Sequence, residues 1–234
     1  MPEIAATLLR QLGRFRLIVF DCDGTLVDSQ HNIIASVRRV FESIDLPPPP
    51  DDLIRRQVGL PVDTAIARLA PAAGDEVHQR LAAAFLVLKA QMQAEKKLEE
   101  PLYAGMRELI DELQHPELFL GIATGKGRAG LDYTLQLHGL DTRFHTLQTG
   151  DRCRGKPHPE MMLRAIEEVG LSPAQAVMIG DTSFDMEMAR SAGATAVGVA
   201  WGYHDRQDLD QAGAHAVIEH PSQLLGLLSR LAAG

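Results

Sequence analysis

The chain has few cysteines, and their scarcity excludes two kinds of site. Only Cys22 and Cys153 occur among its 234 residues. Neither belongs to a CxxC or Cys/His spacing, so we expect neither a zinc site nor a disulfide framework. Cys22 lies between two acids, and we interpret it as a small buried residue that faces away from them.

Basic segments and long apolar runs are also absent. The formal net charge is -8 at pH 7, and the cationic residues are dispersed. Nonspecific nucleic-acid binders need a basic surface, and an anionic membrane would repel this chain. No apolar run has membrane-spanning length, and the amphipathic residues 1–16 lack the apolar centre of a signal peptide. We therefore expect a soluble cytoplasmic protein without nucleic-acid or membrane partners; its oligomeric state stays open.

Short apolar runs of strand character alternate with helical patterns along much of the chain. The strand-like runs lie at 16–21, 118–124, 144–150, 176–181 and 195–200. The helical patterns lie at 105–114, 128–140 and 159–170. This alternation is typical of βαβ units, so the sequence predicts an α/β protein with a Rossmannoid parallel-sheet core.

Residues 30–100 interrupt that alternation because they contain helical patterns and no strand-like run. The proline run Pro47–Pro50 breaks the helical pattern once. The segment is too long for a simple crossover, so we interpret it as an inserted all-helical cap. The predicted boundaries are core at 1–29, cap at 30–102 and core again at 103–234.

An acidic motif follows the first predicted strand. The spacing of Asp21 and Asp23 keeps both on one side of an extended segment, and Gly24 permits the turn that follows. This pattern suits a nucleophilic aspartate beside a metal. An ordinary acidic turn at a strand end is the structural alternative.

Two further motifs supply a hydroxyl and two ammonium groups. In Thr124-Gly125-Lys126, the hydroxyl and the next backbone N–H could hold a phosphoryl oxygen at a helix N-terminus. Helix capping by Thr124 and a solvated Lys126 are the alternatives. Lys156 precedes a helix, and its neighbouring prolines stiffen the approach; a surface lysine is again the alternative.

A final pair of acids follows the most apolar strand. Asp181 ends the strand and Asp185 begins the next helix, where capping would also favour an acid. Carboxyl ends of parallel strands meet in one crevice, so all these motifs should converge there. Clustered carboxylates need a cation, and Mg²⁺ prefers oxygen ligands. The sequence therefore predicts Mg²⁺-assisted phosphoryl transfer.

The four motifs occur in the order DCDGTLVDS, ATGK, GKPHPE and GDTSFDM. In this combination the chain resembles the haloacid-dehalogenase-like hydrolase superfamily, and its helical insertion is similar to that superfamily's C1 cap. It looks most like the phosphoglycolate-phosphatase-like branch, because of VGLP at 58–61, the ATGKGRAG stretch and GKPHPE.

The resemblance implies a role for each matching residue. Asp21 would be the nucleophile that becomes an aspartyl-phosphate, and Asp23 would be the general acid and base. Thr124 and Lys156 would hold the phosphoryl group. The implied Mg²⁺ ligands and their supporting acid are Asp21, Asp23 through its backbone carbonyl, Asp181 and Asp185.

Substrate contacts are expected from Gly125 and Lys126 as well, and from two arginines of the cap. Arg55 and Arg56 precede the Gly/Pro turn at 58–61 and could pair with a substrate carboxylate if that turn reaches the crevice. The alternative is that both arginines are solvated on the outer face of the cap.

The predicted function is a Mg²⁺-dependent phosphatase for a small phosphorylated metabolite, with 2-phosphoglycolate as the leading candidate. A phosphomutase of the β-phosphoglucomutase type would use the same residues. A receiver-type signalling module also gathers acids, a threonine and a lysine. Such a module needs neither a cap nor an acid at Asp23, so the sequence favours the enzyme.

Overall fold

The structure of the chain, a computed structural model, describes residues 8–233. Residues 1–7 of the expected amphipathic segment lie outside this range. Within it, six strands form one parallel sheet in the order β3-β2-β1-β4-β5-β6. They are β1 (Leu17–Phe20), β2 (Phe119–Thr124), β3 (Thr146–Thr149), β4 (Ala176–Gly180), β5 (Thr195–Val199) and β6 (Ala216–Ile218). The predicted parallel-sheet core is confirmed.

The central strand β1 shows why these segments form strands. All four of its residues are fully buried, with Ile18 and Phe20 in one apolar cluster and Leu17 and Val19 in another. Successive side chains point to opposite faces, and a strand covered on both faces must be apolar throughout. The continuous apolar run in the sequence is the direct result.

Four helices lie within residues 30–100 and pack around an apolar core of their own. They are α1 (Gln30–Glu42), α2 (Asp51–Arg55), α3 (Val62–Leu69) and α4 (Asp75–Ala94). Their shared core includes Val37, Phe41, Ile54, Ile66 and Leu81. No strand occurs in this stretch of the described chain. An inserted helical cap agrees with this arrangement, and the exact boundaries stay a prediction.

The remaining helices cover both faces of the sheet. Residues 8–12, α5 (Met106–Glu112), α6 (Arg128–Leu137) and α10 (Leu224–Ala233) lie on one face. The other face carries α7 (Glu160–Glu168), α8 (Ser183–Ser191) and α9 (Arg206–Gln211). Leu8 and Leu12 are buried in the core, so the described end of the N-terminal segment packs against the sheet domain. None of the helices in residues 8–233 has the length and apolar character needed to cross a bilayer.

The chain passes between core and cap at two adjacent points. The backbone N–H of Asp28 donates to Pro101 O at 2.8 Å, and that of Tyr103 donates to Leu26 O at 3.0 Å. Val27 and Leu102 form an antiparallel bridge between these bonds. The two connections therefore form a short two-stranded ribbon, close to the predicted boundaries between core and cap.

Candidate active site

The carboxyl edge of the sheet gathers three buried acids. Asp21 directly follows β1, Asp181 follows β4, and Asp185 lies in the first turn of α8. One oxygen from each carboxylate lies within 4.8 Å of the others. The register places the ends of β1 and β4 side by side, because Phe20 pairs with Ile179. The predicted convergence of these residues is what the structure shows.

Lys156 is buried against this acid cluster. Its Nζ lies 2.9 Å from Asp21 Oδ1 and 2.6 Å from Asp185 Oδ1, and the side chains of all three residues are inaccessible to solvent. Burial by itself would lower the pKa of Lys156, but the charges of Asp185 and Asp21 raise it above the ordinary lysine value. The ammonium therefore stays charged and is held against both acids.

One ammonium does not balance three buried carboxylates. Burial raises the pKa of Asp21 to about 7, opposed by Lys156 and increased further by Asp185. Burial, followed by the charges of Asp21 and Asp185, raises the pKa of Asp181 well above its usual value. Asp21 Oδ2 is also buried without a hydrogen-bond partner. An orphaned oxygen among carboxylates fits a hard divalent cation, and Asp21, Asp181 and Asp185 are the residues that could hold it.

Neighbouring groups fix the orientation of Asp181. Thr25 Oγ1 donates to Asp181 Oδ1 at 2.7 Å, and the Tyr203 backbone N–H donates to Oδ2 at 2.9 Å. Gly24 lies against the same carboxylate with a φ of +85°, and a Cβ there would lie 2.2 Å from Asp181 Oδ2. Position 24 therefore requires glycine for two reasons: the backbone conformation is left-handed, and any side chain would collide with Asp181.

Asp185 combines the capping role with a place in the cluster. Its Oδ2 accepts a hydrogen bond from Thr182 N at 3.0 Å, and its backbone N–H donates to Thr182 Oγ1 at 3.3 Å; these two bonds form the capping box of α8. The Thr182 hydroxyl also donates to Asp185 Oδ2 at 2.7 Å. Asp185 Oδ1 contacts Lys156. The structural alternative raised by the sequence is thus correct for one oxygen, while the other oxygen belongs to the site.

Asp23 has different surroundings from the acid cluster. Its Oδ1 accepts a hydrogen bond from Ser29 Oγ at 2.6 Å and lies 3.1 Å from Lys126 Nζ. The Ser29 hydroxyl in turn lies 3.0 Å from Tyr203 Oη. Between the two acids, Cys22 is buried in the apolar core. The i, i+2 spacing therefore presents two carboxylates with separate partners.

The Lys126 side chain is mostly enclosed, with 11% of its surface exposed, and is not a freely solvated lysine. Its Nζ lies 3.0 Å from Glu100 Oε2 in addition to its contact with Asp23, and Glu100 Oε1 lies 3.2 Å from Lys89 Nζ. Thr134 Oγ1 donates to Glu100 Oε2 at 2.7 Å. Burial favours the neutral form of Glu100, but Lys126 and Lys89 lower its pKa from 4.5 to about 2. The sequence analysis missed Glu100, Lys89 and Thr134, which carry no local motif.

The segment at 58–61 reaches the crevice from the cap. A Cβ on Gly59 would lie 3.9 Å from Asp21 Oδ2, and one on Gly125 would lie 2.5 Å from Gly59 O. A Cβ on Gly155 would lie 2.1 Å from Pro61 Cγ. These glycines let the cap approach the core closely over the acid cluster.

Thr124 lies at the end of β2 and is almost fully buried. Its Oγ1 accepts a hydrogen bond from Lys126 N at 3.2 Å, which shapes the turn before α6. The structure thus places the hydroxyl at the same sheet edge as the acids.

The structure does not bring Arg55 and Arg56 to the acid cluster. Arg55 pairs with Asp52 at 3.1 Å, and Arg56 pairs with Asp208 at 3.2 Å and with Asp205 at 3.7 Å. The Arg55 pair lies on the cap itself, whereas Arg56 connects the cap to the core near α9. Both side chains are partly solvated, but Arg56 lies at the junction of cap and core and not on the outer face that the sequence alternative described.

A cavity of about 360 Å³ lies beside the site, between the cap and the carboxyl edge of the sheet. The core contributes Asp23, Gly125 and Lys126 to its wall, and the cap contributes Gly59 and apolar side chains. The cavity therefore adjoins Asp23.

Comparison with known proteins identifies the family. Residues 18–199 match the family model described as haloacid dehalogenase-like hydrolase. An N-acetylmuramic acid 6-phosphate phosphatase of Pseudomonas putida is 31% identical over 214 residues, which cover 90% of this chain and 95% of that protein. A phosphoglycolate phosphatase of Pasteurella multocida is 29% identical over 226 residues, covering 93% and 100% respectively.

A solved structure agrees with these relatives. The crystal structure of a hydrolase from Pseudomonas syringae has a TM-score of 0.81 and 29% identity, covering 93% of this chain and 99% of that one. The chain belongs to the haloacid dehalogenase-like hydrolase family, as the four motifs indicated. Within that family it is an enzyme of the phosphatase class.

Proposed function

We propose that the chain is a Mg²⁺-dependent phosphatase that hydrolyses a small phosphorylated metabolite through an aspartyl-phosphate on Asp21. The observation that carries the proposal is the buried, unpartnered Asp21 Oδ2 in a cluster where Asp21, Asp181 and Asp185 each place one carboxylate oxygen within 4.8 Å of the others. Lys156 holds the other Asp21 oxygen and leaves Oδ2 free to react.

Bound among these carboxylates, Mg²⁺ would offset their charge and that of the phosphoryl oxygens. Asp21 Oδ2 attacks phosphorus, so that a P–O bond to Asp21 forms as the bond to the leaving oxygen breaks. Lys156 and the backbone N–H groups near Thr124 and Gly125 stabilise charge on the equatorial oxygens. This scheme gives each residue of the cluster a separate task.

Asp23 moves the protons in both steps. As an acid it gives its proton to the leaving alkoxide, and as a carboxylate it then takes a proton from the attacking water. That water forms a new P–O bond, the bond to Asp21 breaks, and inorganic phosphate leaves. Ser29 and Lys126 hold the Asp23 carboxylate in place.

The sequence favours 2-phosphoglycolate, and one of the relatives described above is a phosphoglycolate phosphatase. The proposed contact between its carboxylate and Arg55 or Arg56 has no support from their positions, because both are engaged with acids outside the cavity wall. We therefore propose a small phosphorylated metabolite as the substrate class and keep 2-phosphoglycolate as the reference compound. The cytoplasmic location stays a prediction.

The test measures phosphate release from a panel of phosphorylated metabolites with Mg²⁺ and with excess chelator. We expect release only with the metal, and loss of both release and phosphoenzyme in Asp21→Asn. Asp141→Asn is the matched control, because Asp141 carries an equal charge on the solvent-exposed surface.

Other outcomes would overturn the proposal. Isomer interconversion without phosphate release would identify a phosphomutase. A long-lived phosphoenzyme without turnover would identify a signalling module. Full activity after exhaustive chelation would remove the metal from the mechanism.

A further inference from the structure

The cavity beside Asp23 has an apolar wall built largely by the cap. Helices α1 to α4 all contribute to it. Its apolar side chains include Ile33, Val37, Ile54, Ile66, Leu69 and Phe85. The exposed side chain of Leu86 also lies on the wall, where it presents an apolar surface to entering molecules.

The position of the cavity identifies what would occupy it. If phosphorus lies at Asp21, the leaving oxygen must lie within reach of Asp23, which gives it a proton. Asp23 forms part of the cavity wall. The organic part of the substrate therefore extends from Asp23 into the apolar space under the cap.

The charges on the wall argue against an anionic organic group. Three cations, Lys89, Lys126 and Arg128, line the cavity in the described structure. Each already has a carboxylate partner: Glu100 pairs with both lysines, and Asp132 lies 2.8 Å from Arg128. A carboxylate at Lys89 or Lys126 would have to compete with the buried Glu100, which is costly. Arg128 contacts Asp132 through Nε alone and is 34% exposed, so a carboxylate there would stay in contact with water and gain little.

The size of the cavity also argues against a small anionic organic group. At about 360 Å³ it falls within the range of ~300–1,000 Å³ that is usual for pockets that enclose drug-sized ligands. A two-carbon acid would leave much of this apolar space empty. An apolar group would fill this space, and the surfaces of both the group and the cavity wall would then be removed from water.

We propose that the leaving group of the physiological substrate is an uncharged, largely apolar alcohol, bound in the cavity between cap and core. This inference rests on the proposed phosphatase function and specifies its substrate class. The cap helices then select for apolar surface, while the acid cluster performs the same chemistry on any phosphate ester.

A homologous series of alkyl phosphates, from methyl to hexyl, tests the inference with the whole protein and Mg²⁺. We expect kcat/KM to rise about fourfold per methylene until the cavity is full, which is ~0.8 kcal/mol for each buried methylene. Isobutyl phosphate resembles 2-phosphoglycolate in shape but has an uncharged isopropyl group in place of the carboxylate, and we expect it to be hydrolysed faster. A flat series, or preference for 2-phosphoglycolate over isobutyl phosphate, would overturn the inference.

Two variants on one helix locate the effect. Leu86 and Val87 are neighbours on α4 with exposures of 54% and 57%, but only Leu86 lies on the cavity wall. Leu86→Gln should reduce the gain per methylene, and Val87→Gln should leave it as in the wild type. Ala65→Phe, which places a larger side chain on the wall, should shorten the best chain length. If the gain in kcat/KM per methylene is the same in the wild type and in all three variants, the apolar contact lies elsewhere and this assignment is refuted.

Binding of alkylphosphonates, which are not hydrolysed, separates this inference from the proposed function. Calorimetry should show affinity rising about fourfold per methylene, as for the esters. If affinity rises with chain length but no ester is hydrolysed, the phosphatase proposal fails and the apolar site stands. If esters are hydrolysed but neither rate nor affinity depends on chain length, the apolar site fails alone.

Discussion

Replacing Glu100 by glutamine should destabilise the fold by more than any surface charge change. The Glu100 side chain is 1% exposed and contacts the ammonium groups of both Lys89 and Lys126. Glutamine keeps the size and one acceptor but removes the charge. Its amide nitrogen must then face a cation or lose its hydrogen bonds.

The pKa of Glu100 sets the magnitude. A value of about 2 in place of 4.5 corresponds to about 3 kcal/mol of stabilisation. Loss of one member of a buried ion pair typically costs ~3–5 kcal/mol. Lys89 and Lys126 are 14% and 11% exposed, so water reaches them in part. We therefore expect a cost at the lower end of that range. We expect Glu100→Gln to cost about 3 kcal/mol at pH 7.

Urea unfolding measures this cost, and its pH dependence identifies the cause. Because folding lowers the Glu100 pKa below its unfolded value of 4.5, the stabilisation is complete above that pH and is lost as the pH falls towards 2. The difference between wild type and Glu100→Gln should therefore be constant near neutral pH and shrink below about pH 4.5.

The neighbouring residue supplies the control. Glu99→Gln makes the same charge change at an exposed side chain and should cost less than ~1 kcal/mol. Equal costs for the two variants, or a Glu100→Gln cost that does not change with pH, would refute the account of a buried charge network.

Three other outcomes are expected. Added Mg²⁺ should raise the thermal midpoint and chelator should reverse the rise, because the acid cluster is short of positive charge; an unchanged midpoint in a scanning calorimeter would contradict this. Asp23→Asn should lower kcat roughly 10²–10⁴-fold for alkyl esters and less for aryl esters, whose leaving groups need less protonation; equal losses in steady-state assays would exclude an acid role. Gly24→Ala should abolish activity and destabilise the fold, whereas Gly139→Ala, at a φ of +60° with open space around it, should cost only ~1–2 kcal/mol of backbone strain in urea unfolding.

Burial on both faces made most of the sheet predictable. The strands β1, β2, β4 and β5 are apolar along almost their whole length. Each can therefore be recognised from its own residues, without knowledge of the strands that it pairs with. By contrast β6 has three residues, two of them only partly buried, at the edge of the sheet. So short a segment carries no periodicity, and the sequence analysis missed it.

The residues of the site also differ in how far the local sequence predicts their positions. Asp21 and Asp181 are at strand ends, where local sequence fixes their position, and Asp185 follows at a helix start. The partners of Lys126 could not be predicted, because Glu100 comes from the end of the cap segment and meets it only in the folded chain. Arg56 failed to reach the crevice for a similar reason, since Asp208 on α9 is its nearer partner.

The ribbon formed by Val27 and Leu102 brings the two ends of the helical insertion together, so the insertion could be removed as a unit. Its two ends lie one strand spacing apart, and antiparallel strands can be joined by a two-residue turn. An Asn-Gly turn after Asp28 could therefore lead straight to Pro101 without changing the path of any core strand. Another helical unit could be inserted at the same place, because the strands and the cluster of Asp21, Asp181 and Asp185 are built from residues outside the insertion. The insertion also carries Ser29 and Glu100, the partners of Asp23 and Lys126, so a new unit would change the surroundings of Asp23 together with the choice of substrate.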